Sequence, residues 1–124
     1  MDSKQATMTL RVGLVAAIIM ALSASALADK RADAKAQVTF GITVAQKGLW
    51  KEATQRWESA IAIDPAYASA WNNLAIGYEQ LGRAEDARKA YERALELEPK
   101  NEYIRGNYES FREIYDRQNR ARGR

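Results

Sequence analysis

"WNNLAIGYEQLG" occupies residues 71–82. Trp71, Leu74, Ala75 and Tyr78 recur at steps of three and four and so share one face of a helix. A Trp, two adjacent Asn and a Gly are poor choices for a helix built on propensity alone. Some other requirement must hold them there.

Sliding the chain along itself shows what that is. At an offset of 34 residues, Phe40 falls on Leu74, Gly41 on Ala75, Ile42 on Ile76 and Gly48 on Gly82. Ala53 meets Ala87, Trp57 meets Tyr91, Ala60 meets Ala94, Pro65 meets Pro99, and "IAIDP" (61–65) echoes "LELEP" (95–99). A fixed period of this length marks a repeat architecture, in which each unit buries its apolar face on its neighbour.

The second unit, residues 68–101, carries Trp71, Leu74, Ala75, Tyr78, Gly82, Ala87, Tyr91, Ala94 and Pro99. It resembles the tetratricopeptide repeat, whose pattern is W-x2-L-G-x2-Y…A-x3-F…P. The first unit, residues 34–67, keeps Phe40, Gly41, Gly48, Ala53, Trp57, Ala60 and Pro65. It departs from the pattern with Gln37 and Val44 where Trp and Tyr are commonest. The resemblance implies an all-α fold, an α-α superhelix or solenoid of antiparallel helix pairs. The odd residues of 71–82 then have roles. Trp71 and Tyr78 supply bulk, Ala75 and Ala87 are small where two helices cross closely, Gly82 closes a turn at positive φ, and Pro99 stops a helix.

Helices are predicted at roughly 33–46, 50–63, 68–81 and 84–97. "QVTFGITV" (37–44) alternates apolar and polar residues and alone would read as a strand. Its 34-residue register with 71–78 overrides that and makes it a helix, the weakest of the set because Thr, Val and Gly lower helix propensity. A fifth helix follows over 102–117, N-capped by Asn101, with Ile104, Tyr108, Phe111 and Tyr115 as its apolar seam. Arg105, Glu109 and Arg112 stand where a third repeat needs Trp, a small residue and Tyr, so this helix reads as a terminal cap.

The first 28 residues are of another kind. Lys4 and Arg11 precede an uncharged run from Val12 to Ala28, with its apolar heart at about 12–22. It ends Ala26-Leu27-Ala28, a small-x-small site, and reads as a secretory signal cleaved after Ala28. The competing reading, an uncleaved anchor, meets a run at the short limit for a span. Residues 29–33 would be a short lead into the first repeat. No Cys is present, which excludes a lipid-modified N-terminus, disulfides and thiolate metal sites. An exported chain without Cys suits a bacterial periplasm.

No His is present either, which removes the commonest general base and metal ligand. No pair of acids converges on an apolar pocket in the sequence, so a hydrolase reading has little to stand on. The expectation is a non-enzyme without metal or cofactor. Lys4, Arg11 and Asp2 lie before residue 29, which leaves seventeen basic residues against fifteen acidic ones from there on.

In this family the first helix of each pair lines a concave groove that holds partner polypeptides. The resemblance places Lys35, Val38, Ile42, Ala45 and Gln46 there from the first repeat. From the second it places Ser69, Asn72, Asn73, Ile76, Glu79 and Gln80. Apolar anchors flanked by amides suit an amphipathic helix or extended peptide. Chaperone-binding members grip a C-terminal carboxylate with Lys, Asn and Arg. Here only Asn73 matches, while Val38, Ile42, Tyr103 and Gly106 occupy the remaining places, so that mode is not expected. The tail, residues 118–124, is basic. Arg117, Arg120, Arg122 and Arg124 offer weak contact with an anionic membrane surface or acidic partner, or form a solvated chain end. Nucleic acid fits poorly, since the positive charge is confined to that tail. The main alternative to a groove-binding adaptor is a self-associating unit that stacks through the exposed N-terminal face of the solenoid, because two repeats and a cap bury a modest core.

Overall fold

The computed structural model describes residues 2–123. Among them are five helices and no strand: α1 (Ser3–Gln46), α2 (Trp50–Ile63), α3 (Ala68–Gln80), α4 (Ala84–Leu97) and α5 (Glu102–Arg122). Contacts divide the chain into residues 1–30 and residues 31–124. Each is described by itself.

Residues 3–30 are helical, and their apolar side chains, among them Leu14, Ile18, Met20 and Leu22, stand exposed. The most apolar window has a mean hydropathy of 2.1 and none of it is buried. By length and composition that window is enough to cross a membrane. Helical backbone runs unbroken through Ala26, Leu27 and Ala28.

Residues 31–124 form the repeats. α1 pairs with α2 and α3 with α4, each pair joined by a turn of one design. Gly82 has φ of 73°, its N–H donates to the Glu79 carbonyl, and Arg83 N–H donates back to Tyr78 at 2.8 Å. Gly48 repeats the arrangement at φ of 78°, with bonds from Gly48 to Ala45 and from Leu49 to Val44. This double closure satisfies the last carbonyls of the helix and needs a residue that tolerates the left-handed region. "QVTFGITV" is helical along its whole length.

Small residues set the spacing. Ala34, Ala53, Ala60, Ala68, Ala70, Ala75, Ala87 and Ala94 are completely buried, and the large groups enclosed among them are Trp57, Tyr91 and Ile104. Trp57 is the pivot of the first repeat. A Cβ built on Gly41 would lie 2.5 Å from its Nε1, and one built on Gly77 would lie 3.0 Å from its Cζ3 and 2.5 Å from Thr54 Oγ1. One indole of α2 is therefore gripped between glycines of α1 and α3. Its Nε1 donates to the Val38 carbonyl at 3.2 Å, which satisfies the polar end of a buried ring. Trp71 is half-buried, and its Nε1 donates to the Pro65 carbonyl at 2.8 Å.

Phe40 departs from what its alignment with Leu74 suggests. Leu74 is buried against Trp57 and Val38, whereas Phe40 is 49% exposed, with the Arg56 guanidinium 4.5 Å above its ring. The difference is one of cover. The preceding α2 shields Leu74, while among the described residues Phe40 has the Arg56 cation over it.

α5 closes the other end. Asn101 Oδ1 accepts from Ile104 N–H at 3.1 Å, the predicted N-cap. Ile104 and Phe111 are buried, and Tyr91, Tyr108, Phe111 and Tyr115 form a run of rings with centroids 5.5–6.3 Å apart. The helix runs to Arg122, five residues past the expected end. Residues 118–122 are thus helical and not a loose tail, and Arg120 and Arg122 lie in the last turn, where cations complement the helix dipole.

Candidate functional site

Alternation of the helices puts α1, α3 and α5 in sequence along one side of residues 31–124, and the expected groove residues separate into two rows there. Val38 and Asn72 do not lie open. Val38 is 4% exposed and packs with Ala34, Ala70 and Leu74. Asn72 is 2% exposed, and its Oδ1 accepts from Asn107 Nδ2 at 3.1 Å. Both stand where one first helix meets the next, so they join repeats and offer nothing to a ligand.

The other row is available. Lys35, Gln46 and Gln80 are exposed, Ile42 is 40% exposed, and Ala45, Ser69, Asn73, Ile76 and Glu79 are half-buried. Asn73 Nδ2 donates to the Ser69 carbonyl one turn earlier, at 2.8 Å, a bond in which its carbonyl oxygen takes no part. Ile76 rests on the cluster formed by Ala75, Ala87, Tyr91 and Phe111. α5 adds Tyr103 and Gly106, which the resemblance set at clamp places, and Ile114, which the sequence did not single out. Tyr103 is 70% exposed, Ile114 is 53% exposed, and Gly106 has open space where a side chain would stand. Their spacing on α5 was legible, but reading that helix only as a cap hid their second role.

Four tyrosines each give a hydroxyl proton to a glutamate. Tyr78 donates to Glu58 at 3.0 Å, Tyr108 to Glu92 at 3.0 Å, Tyr115 to Glu85 at 2.6 Å, and Tyr91 to Glu79. Burial, reinforced by the Glu58 carboxylate, pushes the Tyr78 phenol up to about 12. Burial raises Tyr91 and Tyr108 in the same direction. The Glu79 carboxyl is also raised, because desolvation outweighs the favourable Tyr91 hydrogen bond. Such pairs lock aromatic rings in place.

Arg117, Arg120 and Arg122 are exposed on the last turns of α5, and Arg124 lies outside the described residues. Glu109, Glu113 and Asp116 share the surface on which Arg120 stands, so the positive charge there is interleaved with acid. Among the described residues no group of three or more acids could hold a metal ion.

Residues 68–101 match the model of the tetratricopeptide repeat, and residues 43–82 match a second model of a TPR repeat. An uncharacterized protein of Methanocaldococcus jannaschii is 38% identical over 58 residues, which are 47% of this chain and 67% of that one. The peroxisomal targeting signal receptor of Saccharomyces cerevisiae is 30% identical over 76 residues, 61% of this chain but only 12% of the receptor. Among solved structures, the second TPR of Spaghetti (RPAP3), bound to the HSP90 peptide SRMEEVD, superposes with a TM-score of 0.68 at 22% identity. The match covers 80% of this chain and 91% of that one.

Proposed function

The chain belongs to the tetratricopeptide repeat family, and on that premise we propose that it is a non-enzymatic interaction module that holds a polypeptide partner across the open row of α1, α3 and α5. The observation that carries this is the set of apolar side chains left uncovered there. Ile42, Tyr103 and Ile114 are exposed and Ile76 is half-buried, and amides, Lys35 and Glu79 stand between them. Anchors of that kind suit a peptide with apolar side chains at regular steps, and the Asn73 carbonyl oxygen and the Gln80 amide can meet its backbone. The RPAP3 domain carries a peptide in its structure, which supports the reading by fold alone.

The test is a substitution pair. Ile42→Asp with Ile76→Asp should weaken capture of the native partner by about tenfold or more while far-ultraviolet circular dichroism stays unchanged. Undiminished capture at intact helicity removes the groove as the site.

Export belongs to the same proposal. Lys4 and Arg11, the apolar run and Ala26-Leu27-Ala28 suit a signal that is removed after Ala28 to leave the module in the periplasm. Intact mass of the protein recovered from the envelope checks this, since a chain beginning at Asp29 supports processing and one retaining the apolar run means an anchor.

Self-stacking through the N-terminal face is the weaker reading. The row that would form it, Ala36, Phe40 and Thr43 on α1 with Lys47 in the turn after it, is exposed and half polar, and its one ring lies under Arg56. Light scattering over a concentration series separates the two readings.

A further inference from the structure

We propose that a cleft at the end of the groove is a socket for a lysine side chain of the partner polypeptide. It lies between the last turn of α3, the turn at Gly82 and the C-terminal half of α5, and has a volume of about 210 Å³. That is room for one long side chain and too little for a folded element. The inference rests on the groove reading and gives it a chemical preference.

Glu79 lines the cleft from one side, and Phe111, Ile114, Gln118 and Asn119 from the other. The carboxylate is half-buried and makes no ion pair among the described residues, although Arg122 lines the same cleft. Its Oε1 accepts from the Tyr91 hydroxyl, and Oε2 takes no part in that bond. A desolvated carboxylate with one free oxygen gains from an incoming cation more than a solvated one does. Burial already holds the Glu79 carboxyl above the usual carboxylate range, a cost that a bound cation relieves.

The remaining lining selects among cations. Phe111 and Ile114 offer apolar surface to a four-carbon stem, and the amide oxygens of Gln118 and Asn119 are further acceptors for an ammonium with three donors. Arginine fits less well, because a guanidinium fork pairs best with both oxygens of a carboxylate and one is committed to Tyr91. A peptide carboxylate would have to sit beside the Glu79 carboxylate, with Arg122 as the one cation of the lining.

The test uses the full chain in non-ionic detergent and four capped tripeptides: Leu-Lys-Leu, Leu-Arg-Leu, Leu-acetyllysine-Leu and Leu-Glu-Leu. Binding is read by nuclear magnetic resonance from the side-chain amides of Gln118 and Asn119. The lysine peptide should shift both amides, with the acetyllysine and glutamate peptides about tenfold weaker or silent. Glu79→Gln, which keeps an acceptor for Tyr91, should abolish the preference for lysine over acetyllysine. Should that variant prove unstable, Ile114→Ser, an exposed position, serves instead and should weaken the lysine peptide severalfold by removing apolar cover from its stem, and unchanged lysine binding overturns the proposal. Equal binding of lysine and acetyllysine peptides overturns the proposal. So does equal or tighter binding of the arginine peptide, which would assign the cleft to guanidinium and make the arginine-bearing end of a second copy its occupant. Loss of lysine preference with partner capture still sensitive to Ile42 and Ile76 defeats this inference and leaves the groove reading standing.

Discussion

At Gly77 one methyl group decides how α3 lies on α2. A Cβ there would stand 2.5 Å from Thr54 Oγ1 and 3.0 Å from Trp57, both on a packed helix with nowhere to move. Gly77→Ala should therefore cost about 1–3 kcal/mol in urea unfolding, by overpacking. Gly106→Ala should act in the opposite sense and stabilise by about 0.5–1 kcal/mol, since nothing lies within 4 Å and glycine weakens a helix interior. The 34-residue offset revealed that Ala75 and Gly41 must be small, but it hid Gly77, whose counterpart is exposed Thr43. The demand for glycine exists only where an α2 lies in front. Tyr78 gives a pH test. Its folded phenol is raised from 10.0 to about 12, so its contribution to stability is fully present below pH 10 and is lost as pH rises through 12. Alkaline unfolding should lag phenol ionisation of exposed tyrosines, and Tyr78→Phe should flatten stability across that window. An unchanged profile would mean that Glu58 does not hold the hydroxyl.

Among the elements, α5 combines two tasks. Its inner side carries Tyr108 and Phe111 onto Tyr91, Tyr115 onto Phe111 and Ile104 onto Ala68 and Ala94, and its outer side leaves Tyr103 and Ile114 uncovered. Phe111→Ala should cost about 3–5 kcal/mol, because it empties the middle of the ring stack. Ile114→Ser should change stability by less than about 0.5 kcal/mol. Near-ultraviolet circular dichroism and thermal unfolding separate the two, and similar losses would mean that Ile114 is packed. Periodicity disclosed the seam and Asn101 disclosed the start. The extension through Arg122 was not foreseen, since a run of Arg, Gln and Asn has no apolar rhythm, yet its residues tolerate helix well. The burial of Val38 and Asn72 escaped for a related reason. A repeat motif names the faces within one hairpin, but the row between consecutive first helices is fixed by how far those helices approach.

In the whole repeat unit, residues 31–124, stability should be graded. α3 is packed on both sides, by Trp57 and by Tyr91 with Phe111, whereas α1 has Phe40 and Thr43 exposed and carries Thr39 and Gly41 within it. In a nearest-neighbour array an end unit opens at lower cost than an inner one. Amide hydrogen exchange should therefore be faster over residues 34–46 than over Ala68–Gln80, and equal protection would show that the array melts as one. Arg31 opposes the fraying. Its guanidinium pairs with Asp64 and lies 4.7 Å over the Tyr67 ring, a clasp between positions 33 apart that no local pattern announces.

Trp57 and its two companions have an optical consequence. Trp50 and Trp57 lie on α2 and Trp71 on α3, while α4 and α5 hold only phenols and one phenyl ring. Emission excited at the indole band therefore watches α2 and α3, and four of the six phenols report on α4 and α5. Trp57, deep in the joint, should emit to the blue in the folded chain and move red when that joint parts. The two colours give a label-free record of which end lets go first.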